Sequence, residues 1–203
     1  MQHLSKIIRN MKKLFATLIL MLSISVNAQE PSQHMKFMGI PMDCDVETFA
    51  KKLSKEKGLK RGDFGNTDRP TLLGSFSGYK DCIFILEGEG DNPIGMVGVI
   101  FPMQESFILL RSQYQTMKSN LTTKYGSPTN EEEGFFDYEP STDYGRMREL
   151  REGNAKFETS FVTDEGLIKM QMCSVDISGG YLQILYVDMN NAAKQNEKSL
   201  DDL

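Results

Sequence analysis

The sequence is poor in the residues that most catalytic and metal-binding sites require. Its 203 residues include two histidines, three cysteines and no tryptophan. His3 lies in a basic N-terminal segment that resembles a leader peptide, so His34 is the one histidine left to act as a base for a nucleophile. No Cys-x-x-Cys or His-x-x-x-His spacing indicates a zinc site. We therefore predict no catalytic, metal-binding or cofactor-binding residues, and the lack of tryptophan weakens a role in stacking on sugars.

Positive charge is also scarce. The formal net charge is −5, and four of the 23 lysines and arginines lie within residues 1–28, which contain no acidic residue. Removing that segment leaves a net charge of −9. Such a chain repels phosphate backbones, so nucleic acid is not an expected partner. It also lacks the excess of basic residues that would bind an anionic membrane surface.

Residues 1–28 have the features of a secretory signal peptide. Four basic residues precede an apolar run at 14–22 (LFATLILML), and Val26-Asn27-Ala28 places small residues before Gln29. The apolar run is about half the length of a membrane-spanning helix. We predict Sec-type export to the periplasm or the extracellular space, with no membrane span after cleavage. Translation can start at Met1 or at Met11.

The three cysteines of the exported chain leave two interpretations open. In an oxidising compartment, Cys44, Cys82 and Cys173 allow three alternative disulfides, each leaving one thiol. The alternative is buried, unpaired thiols that pack as small apolar groups. Cys44 also precedes a predicted helix, whose dipole lowers a thiol pKa, but Asp43 and Asp45 oppose thiolate formation.

The spacing of apolar residues predicts two helices and six strands. The first helix begins at Asp45 and ends before Gly58, and the second covers 106–125 with one apolar stripe. The predicted strands are 71–76, 81–87, 95–101, 157–162, 167–175 and 181–188. The expected irregular segments are a flexible lead-in at 29–36, a break at 61–70, loops at 129–133 and 139–145, and a polar tail at 190–203. Residues 146–152 fit either a short helix or an edge strand.

This order predicts an α+β fold made of two helix-plus-antiparallel-meander units in tandem. The first unit covers about 36–103 and the second about 104–190, within a single domain from 29 to 203 that ends in the polar tail. In the strand at 167–175, apolar and polar residues alternate. We therefore expect the helices to pack on one face of an antiparallel sheet whose other face is largely polar.

Four short motifs carry a resemblance to a known group of proteins. They are residues 36–43 (KFMGIPMD), 77–82 (SGYKDC), 124–128 (KYGSP) and 201–203 (DDL). Together they resemble an uncharacterised family of exported Bacteroidota proteins. Because that family has no assigned activity, cofactor or catalytic residue, the resemblance implies an envelope location and an α+β layout. The layout also resembles the helix-and-meander modules of the β-lactamase-inhibitor and outer-membrane-assembly type, which bind proteins in the cell envelope.

Two groups of side chains remain as candidates for recognition. Glu87, Glu89 and Asp91 alternate across a turn and offer oxygens to calcium, but the stretch lacks the glycine and glutamate of an EF-hand loop, which favours a solvated acidic turn. Glu131, Glu132 and Glu133 are likewise expected in a solvated loop. The best candidates for exposed recognition groups are the aromatic residues Phe135, Phe136, Tyr138 and Tyr144. The alternative is that they pack against a sheet.

Three hypotheses about function follow. The leading one is a secreted or periplasmic, non-catalytic protein that binds a protein or peptide in the cell envelope through a sheet face or loops. The second is an envelope hydrolase that uses carboxylates or Cys44. The third is a carrier with a small-ligand pocket between helix and sheet.

Overall fold

A computed structural model of the protein describes residues 34–62, 70–88, 90–176 and 179–192. The predicted leader, most of the break at 61–70 and the tail from 193 onwards lie outside the described residues. No helix within the described residues is both long and apolar enough to cross a membrane.

The described chain contains three long helices and ten strands. The helices are α1 (Val46–Lys57), α2 (Phe107–Tyr125) and α3 (Asp143–Glu152). The strands are β1 (Lys36–Phe37), β2 (Ile40–Pro41), β3 (Lys60–Arg61), β4 (Thr71–Phe76), β5 (Tyr79–Glu87), β6 (Met96–Ile100), β7 (Asn130–Phe135), β8 (Ala155–Val162), β9 (Gly166–Asp176) and β10 (Gly179–Asp188).

Eight of these strands form one antiparallel sheet in the order β3-β4-β5-β6-β10-β9-β8-β7, and β1 and β2 form a separate hairpin. The first half of the chain supplies one side of the large sheet and the second half supplies the other. They meet where β6 pairs with β10, with Val99 opposite Ile184. The fold is therefore α+β, as predicted. The description of its two halves as tandem units stays an interpretation.

The buried residues of all three helices belong to one core on one face of the sheet. Those of α1 are the four that the sequence pattern predicts, and α2 buries its predicted stripe from Phe107 to Leu121. The α1 bounds are also as predicted, because Asp45 accepts a hydrogen bond from the Thr48 amide at 2.9 Å and Gly58 adopts a φ of 70°.

The opposite face of the sheet is less polar than expected. β9 follows the prediction, since Ile168, Met170 and Met172 are buried on the helix side and the intervening side chains are half-buried. β10, however, is buried along its whole length. Its residues on the second face join a smaller apolar cluster, because neighbouring strands also place apolar side chains there.

Three expectations about irregular segments are wrong at least in part. The predicted loop at 129–133 forms most of β7, an edge strand that pairs with β8, because charged side chains are tolerated on an outer edge. The lead-in predicted as flexible at 29–36 is described from His34, and Lys36–Phe37 forms β1, whereas residues 29–33 lie outside the described residues. The ambiguous segment at 146–152 is helical and belongs to α3. The loop predicted at 139–145 is wrong in its last three residues, because Thr142 caps a helix that begins at Asp143.

Candidate functional site

His34, the one histidine outside the predicted leader, lies at the end of β10. His34 Nδ1 is 3.2 Å from Asp188 Oδ2, and Asp188 is fully buried. The same carboxylate accepts the amide N–H of Met35 at 2.8 Å and that of Asn191 at 2.9 Å. These bonds hold the entering chain against the helical turn that follows β10, so the contact accounts for the order of the lead-in.

The three cysteines are free. Cys82 is part of the helix-side core, and burial raises the pKa of its thiol to about 11. Cys173 packs against the cluster on the second face, and burial raises its thiol pKa to about 11 as well. Both thiols are therefore protonated at neutral pH and act as small apolar groups.

Cys44 is half-buried beside the start of α1. Burial is the largest cause that raises the pKa of its thiol, and the neighbouring Asp43 and Asp45 raise it further. Lys52 acts in the opposite direction without reversing the shift. A thiol of raised pKa is a poor nucleophile at neutral pH, so this site gives the hydrolase hypothesis no support.

The acidic residues considered for calcium do not form a described site. Glu87 is buried, Asp91 is exposed, and Glu89 lies outside the described residues. Within the described ranges, no group of three histidines, cysteines, aspartates or glutamates is arranged to hold a metal ion.

The triplet of glutamates lies on β7 instead of in a solvated loop. Lys118 Nζ from α2 lies 3.0 Å from Glu131 and 2.7 Å from Glu133. Glu132 points to the other face, where Lys156 pairs with it. These ion pairs hold the edge strand to its neighbours, so the triplet has a structural explanation.

Large apolar side chains are exposed mainly in one stretch of the described chain. Among the described residues, seven are exposed by half or more, and six of these lie between residues 103 and 144. Five of them, each 58 to 62% exposed, define what we term the α2–α3 patch: Ile108, Leu109, Phe136, Tyr138 and Tyr144. Three of the four aromatic residues singled out in the sequence are therefore exposed.

Phe135, the fourth, packs instead. Its ring centroid lies 5.7 Å from that of Phe107 and 5.8 Å from that of Phe157. Because side chains alternate along a strand, the end of β7 turns Phe135 inward and the next residue, Phe136, outward.

A single carboxylate holds the two parts of the α2–α3 patch together. Asp143, the first residue of α3, accepts the amide N–H of Phe107 at 3.1 Å and that of Ile108 at 3.0 Å. These amides belong to the first turn of α2, where N–H groups have no partner within the helix. Thr142 caps α3 through the Gly145 amide at 3.1 Å. The N-termini of both helices, and Tyr144 with them, are thereby fixed side by side.

The patch borders a hollow of about 320 Å³ that contains charged side chains. Glu139 Oε1 lies 2.8 Å from Arg146 Nε and 3.6 Å from Arg111 Nη1. Two arginines of its lining thus share one carboxylate, while the Asp143 carboxylate lies on the amides of two further lining residues, Phe107 and Ile108. Sequence reasoning missed Ile108 and Leu109, although both are apolar residues of α2 that lie outside its buried stripe.

These observations define an α+β protein with an exposed apolar and aromatic patch at the N-terminal ends of two helices. Comparisons with protein-family models, with curated proteins and with solved structures found no match. The resemblance to exported Bacteroidota proteins therefore remains an expectation from the sequence.

Proposed function

We propose that the protein is an exported, non-catalytic protein that binds a protein or peptide partner through the α2–α3 patch. The observation that carries this proposal is a set of five large apolar side chains, each about 60% exposed, on the first turns of α2 and α3, which Asp143 joins, and on the loop that leads into α3. Scattered exposed apolar residues are normal on a protein surface, whereas contiguous ones mark interaction sites. Export to the periplasm or beyond rests on the leader features of residues 1–28.

The composition of the region supports a protein partner. Tyrosine, phenylalanine and arginine are enriched at protein interfaces. The α2–α3 patch contains Tyr138, Tyr144 and Phe136, and its residue Ile108 lines the hollow together with Arg111 and Arg146. Tyrosine also offers a large contact area while restricting few rotatable bonds. Because Asp143 already fixes the two helix ends, binding costs little further conformational entropy of the backbone there.

The charges indicate what the partner presents. One carboxylate, Glu139, faces two arginines in the hollow, in a chain whose overall balance is acidic. An apolar segment that carries an acidic side chain would bury its apolar part on the α2–α3 patch and place its carboxylate near the arginines. The proposed partner is therefore a polypeptide segment that combines apolar and acidic residues.

Variants of the patch test this proposal. The full chain is produced in the cells that naturally make the protein, the co-purified partner is identified, and its affinity for the purified protein is measured by calorimetry. Ile108→Asp with Tyr138→Asp changes the patch, and Asp at position 108 is compatible with the first turn of a helix. Val162→Asp is the matched control, since Val162 is 54% exposed on β8, outside the patch.

We expect the double variant to lose at least tenfold in affinity, because truncating an aromatic residue at a binding hot spot costs about 2 kcal/mol or more. The control should bind as the unchanged protein does. Equal binding by the double variant would contradict the proposal, as would turnover of peptide, ester or glycan substrates by the purified protein.

A further inference from the structure

A second concave surface lies toward the C-terminal end of α2, away from the α2–α3 patch. We term it the hairpin cleft, because residues 117–124 of α2 face the tips of the β1–β2 and β4–β5 hairpins across it. Six of its lining residues form its floor and walls: Met38, Phe76, Ser77, Met117, Leu121 and Tyr186. Its volume is about 330 Å³, which lies at the lower end of the range for small-ligand pockets.

The floor of the hairpin cleft is apolar and preformed. Met117, Leu121 and Tyr186 are almost fully buried and belong to the helix-side core. The ring of Phe76 is stacked on that of Phe37, with centroids 5.8 Å apart, and lies 6.3 Å from the ring of Tyr186. Because neighbouring rings hold this wall in place, a ligand meets a shaped apolar surface without reordering it.

The tips of the two hairpins are in a conformation that their residues rarely adopt. Met38 has a φ of 51° and Ser77 a φ of 49°, and each is followed by a glycine that also has positive φ. Such a pair is typical of tight two-residue hairpin turns, whose first position favours asparagine, aspartate or glycine. Non-glycine residues held in this region tend to occur at functional sites. Here both of them line the same cleft.

The rim of the hairpin cleft is positively charged. Lys57 and Lys124 are exposed and line it, and none of the described residues that line it is acidic. Within the described part of the chain, neither lysine forms an ion pair, and Lys124 Nζ lies 4.7 Å from the centroid of the Tyr125 ring. By contrast, Arg111 and Arg146 beside the α2–α3 patch both pair with the Glu139 carboxylate.

We propose that the hairpin cleft binds a small amphipathic carboxylate. Its apolar body would lie on Met117, Leu121 and Phe76, and its carboxylate would face Lys57 and Lys124. A water molecule occupies about 30 Å³ in the liquid, so the cleft accommodates a ligand of about ten non-hydrogen atoms. A medium-chain fatty acid such as octanoate has this size and this division between apolar body and anionic head.

Three probes separate the two parts of the proposed ligand. Octanoate has both the chain and the charge, octanamide has the chain without the charge, and acetate has the charge without the chain. Binding to the protein, produced from the full chain, is measured by calorimetry. We expect octanoate to bind about tenfold more tightly than octanamide, as two exposed ion pairs allow, and acetate to show no measurable binding. The preference for octanoate should fall as salt is raised.

Matched variants assign the binding to the hairpin cleft. The double variant Lys57→Gln with Lys124→Gln should bind octanoate and octanamide equally well. The control, Lys51→Gln with Lys55→Gln, removes two charges from α1 outside the cleft and should keep the preference for octanoate. Asn120 also lines the hairpin cleft, so Asn120→Trp places a bulky side chain in it and should abolish binding of both chain-bearing probes.

Ser119→Trp, one residue away on the exposed surface of α2, is the control for Asn120→Trp. Failure of octanoate to bind, equal affinities for octanoate and octanamide, or unchanged binding by Asn120→Trp would each overturn the proposal. The Ile108→Asp variant should bind octanoate normally, so this result is independent of the proposed partner at the α2–α3 patch.

Discussion

Replacement of Asp143 by alanine should loosen the junction on which the α2–α3 patch depends. The Asp143 carboxylate accepts two first-turn amides of α2, those of Phe107 and Ile108. Loss of a side chain that caps a helix costs about 0.5–2 kcal/mol, and loss of a negative charge at a helix N-terminus costs about 0.3–1 kcal/mol. The Ser106 hydroxyl still caps α2, so we expect a loss of about 1–2 kcal/mol in the free energy of unfolding.

Urea unfolding followed by circular dichroism measures this loss directly, since the chain has no tryptophan to report by fluorescence. For a chain of this length, 1 kcal/mol corresponds to about 2–4 °C in melting temperature, so the variant should melt about 2–8 °C lower. Asp143→Asn keeps an acceptor but loses the charge, and it should cost about half as much.

Asp137→Ala is the control, because Asp137 is an exposed carboxylate of the loop that precedes α3, and surface substitutions change stability by about 0.5 kcal/mol or less. If Asp143→Ala is no more destabilising than Asp137→Ala, the proposed junction is wrong. Asp143→Ala should also weaken partner binding, because it frees Tyr144 from its position beside Ile108.

Three further predictions follow from other contacts. The thiol of Cys44, whose pKa is raised chiefly by burial, should react with iodoacetamide more slowly than a free cysteine at pH 7. Faster alkylation would contradict this and support the hydrolase hypothesis. Tyr114→Phe should cost about 1–2 kcal/mol in urea unfolding, because it leaves the buried Thr159 hydroxyl without its partner; a neutral effect would contradict that contact. A hydrogen bond from Asn154 lowers the pKa of Glu149, so the stability that Glu149 contributes is present above the ordinary glutamate pKa of about 4.3 and lost as pH falls through the folded-state value. The difference in unfolding free energy between the unchanged protein and Glu149→Gln should therefore shrink below about pH 4, and a difference independent of pH would exclude this linkage.

The elements that could be predicted from the sequence are those specified by local signals. α1 and α2 have apolar residues three and four apart, a capping residue at the start and glycine at the end, so their bounds are nearly right. β7 was missed because its three glutamates resemble a solvated loop. Its strand character depends on pairing with β8 and on lysines that are distant in sequence, which no local pattern contains.

The candidate sites show the same limit. The aromatic residues of the α2–α3 patch stand out in the sequence, but whether each is exposed depends on strand register and packing, which is why Phe135 and Phe136 differ. Asp143 lies 36 residues from the amide of Phe107 that it binds. The hairpin cleft combines two turns, the ends of two helices and β10, so only the folded chain brings its residues together.

The most direct test of the proposed function is site-specific photocrosslinking in the cells that make the protein. A photoreactive phenylalanine analogue replaces Tyr138 in one version of the full chain and Val162 in another, because the two side chains are similarly exposed. We predict a discrete adduct with one partner protein from position 138, lost when Ile108→Asp is added, and no such adduct from position 162. Equal labelling at both positions, or no adduct at position 138, would contradict the proposal that the α2–α3 patch binds a partner.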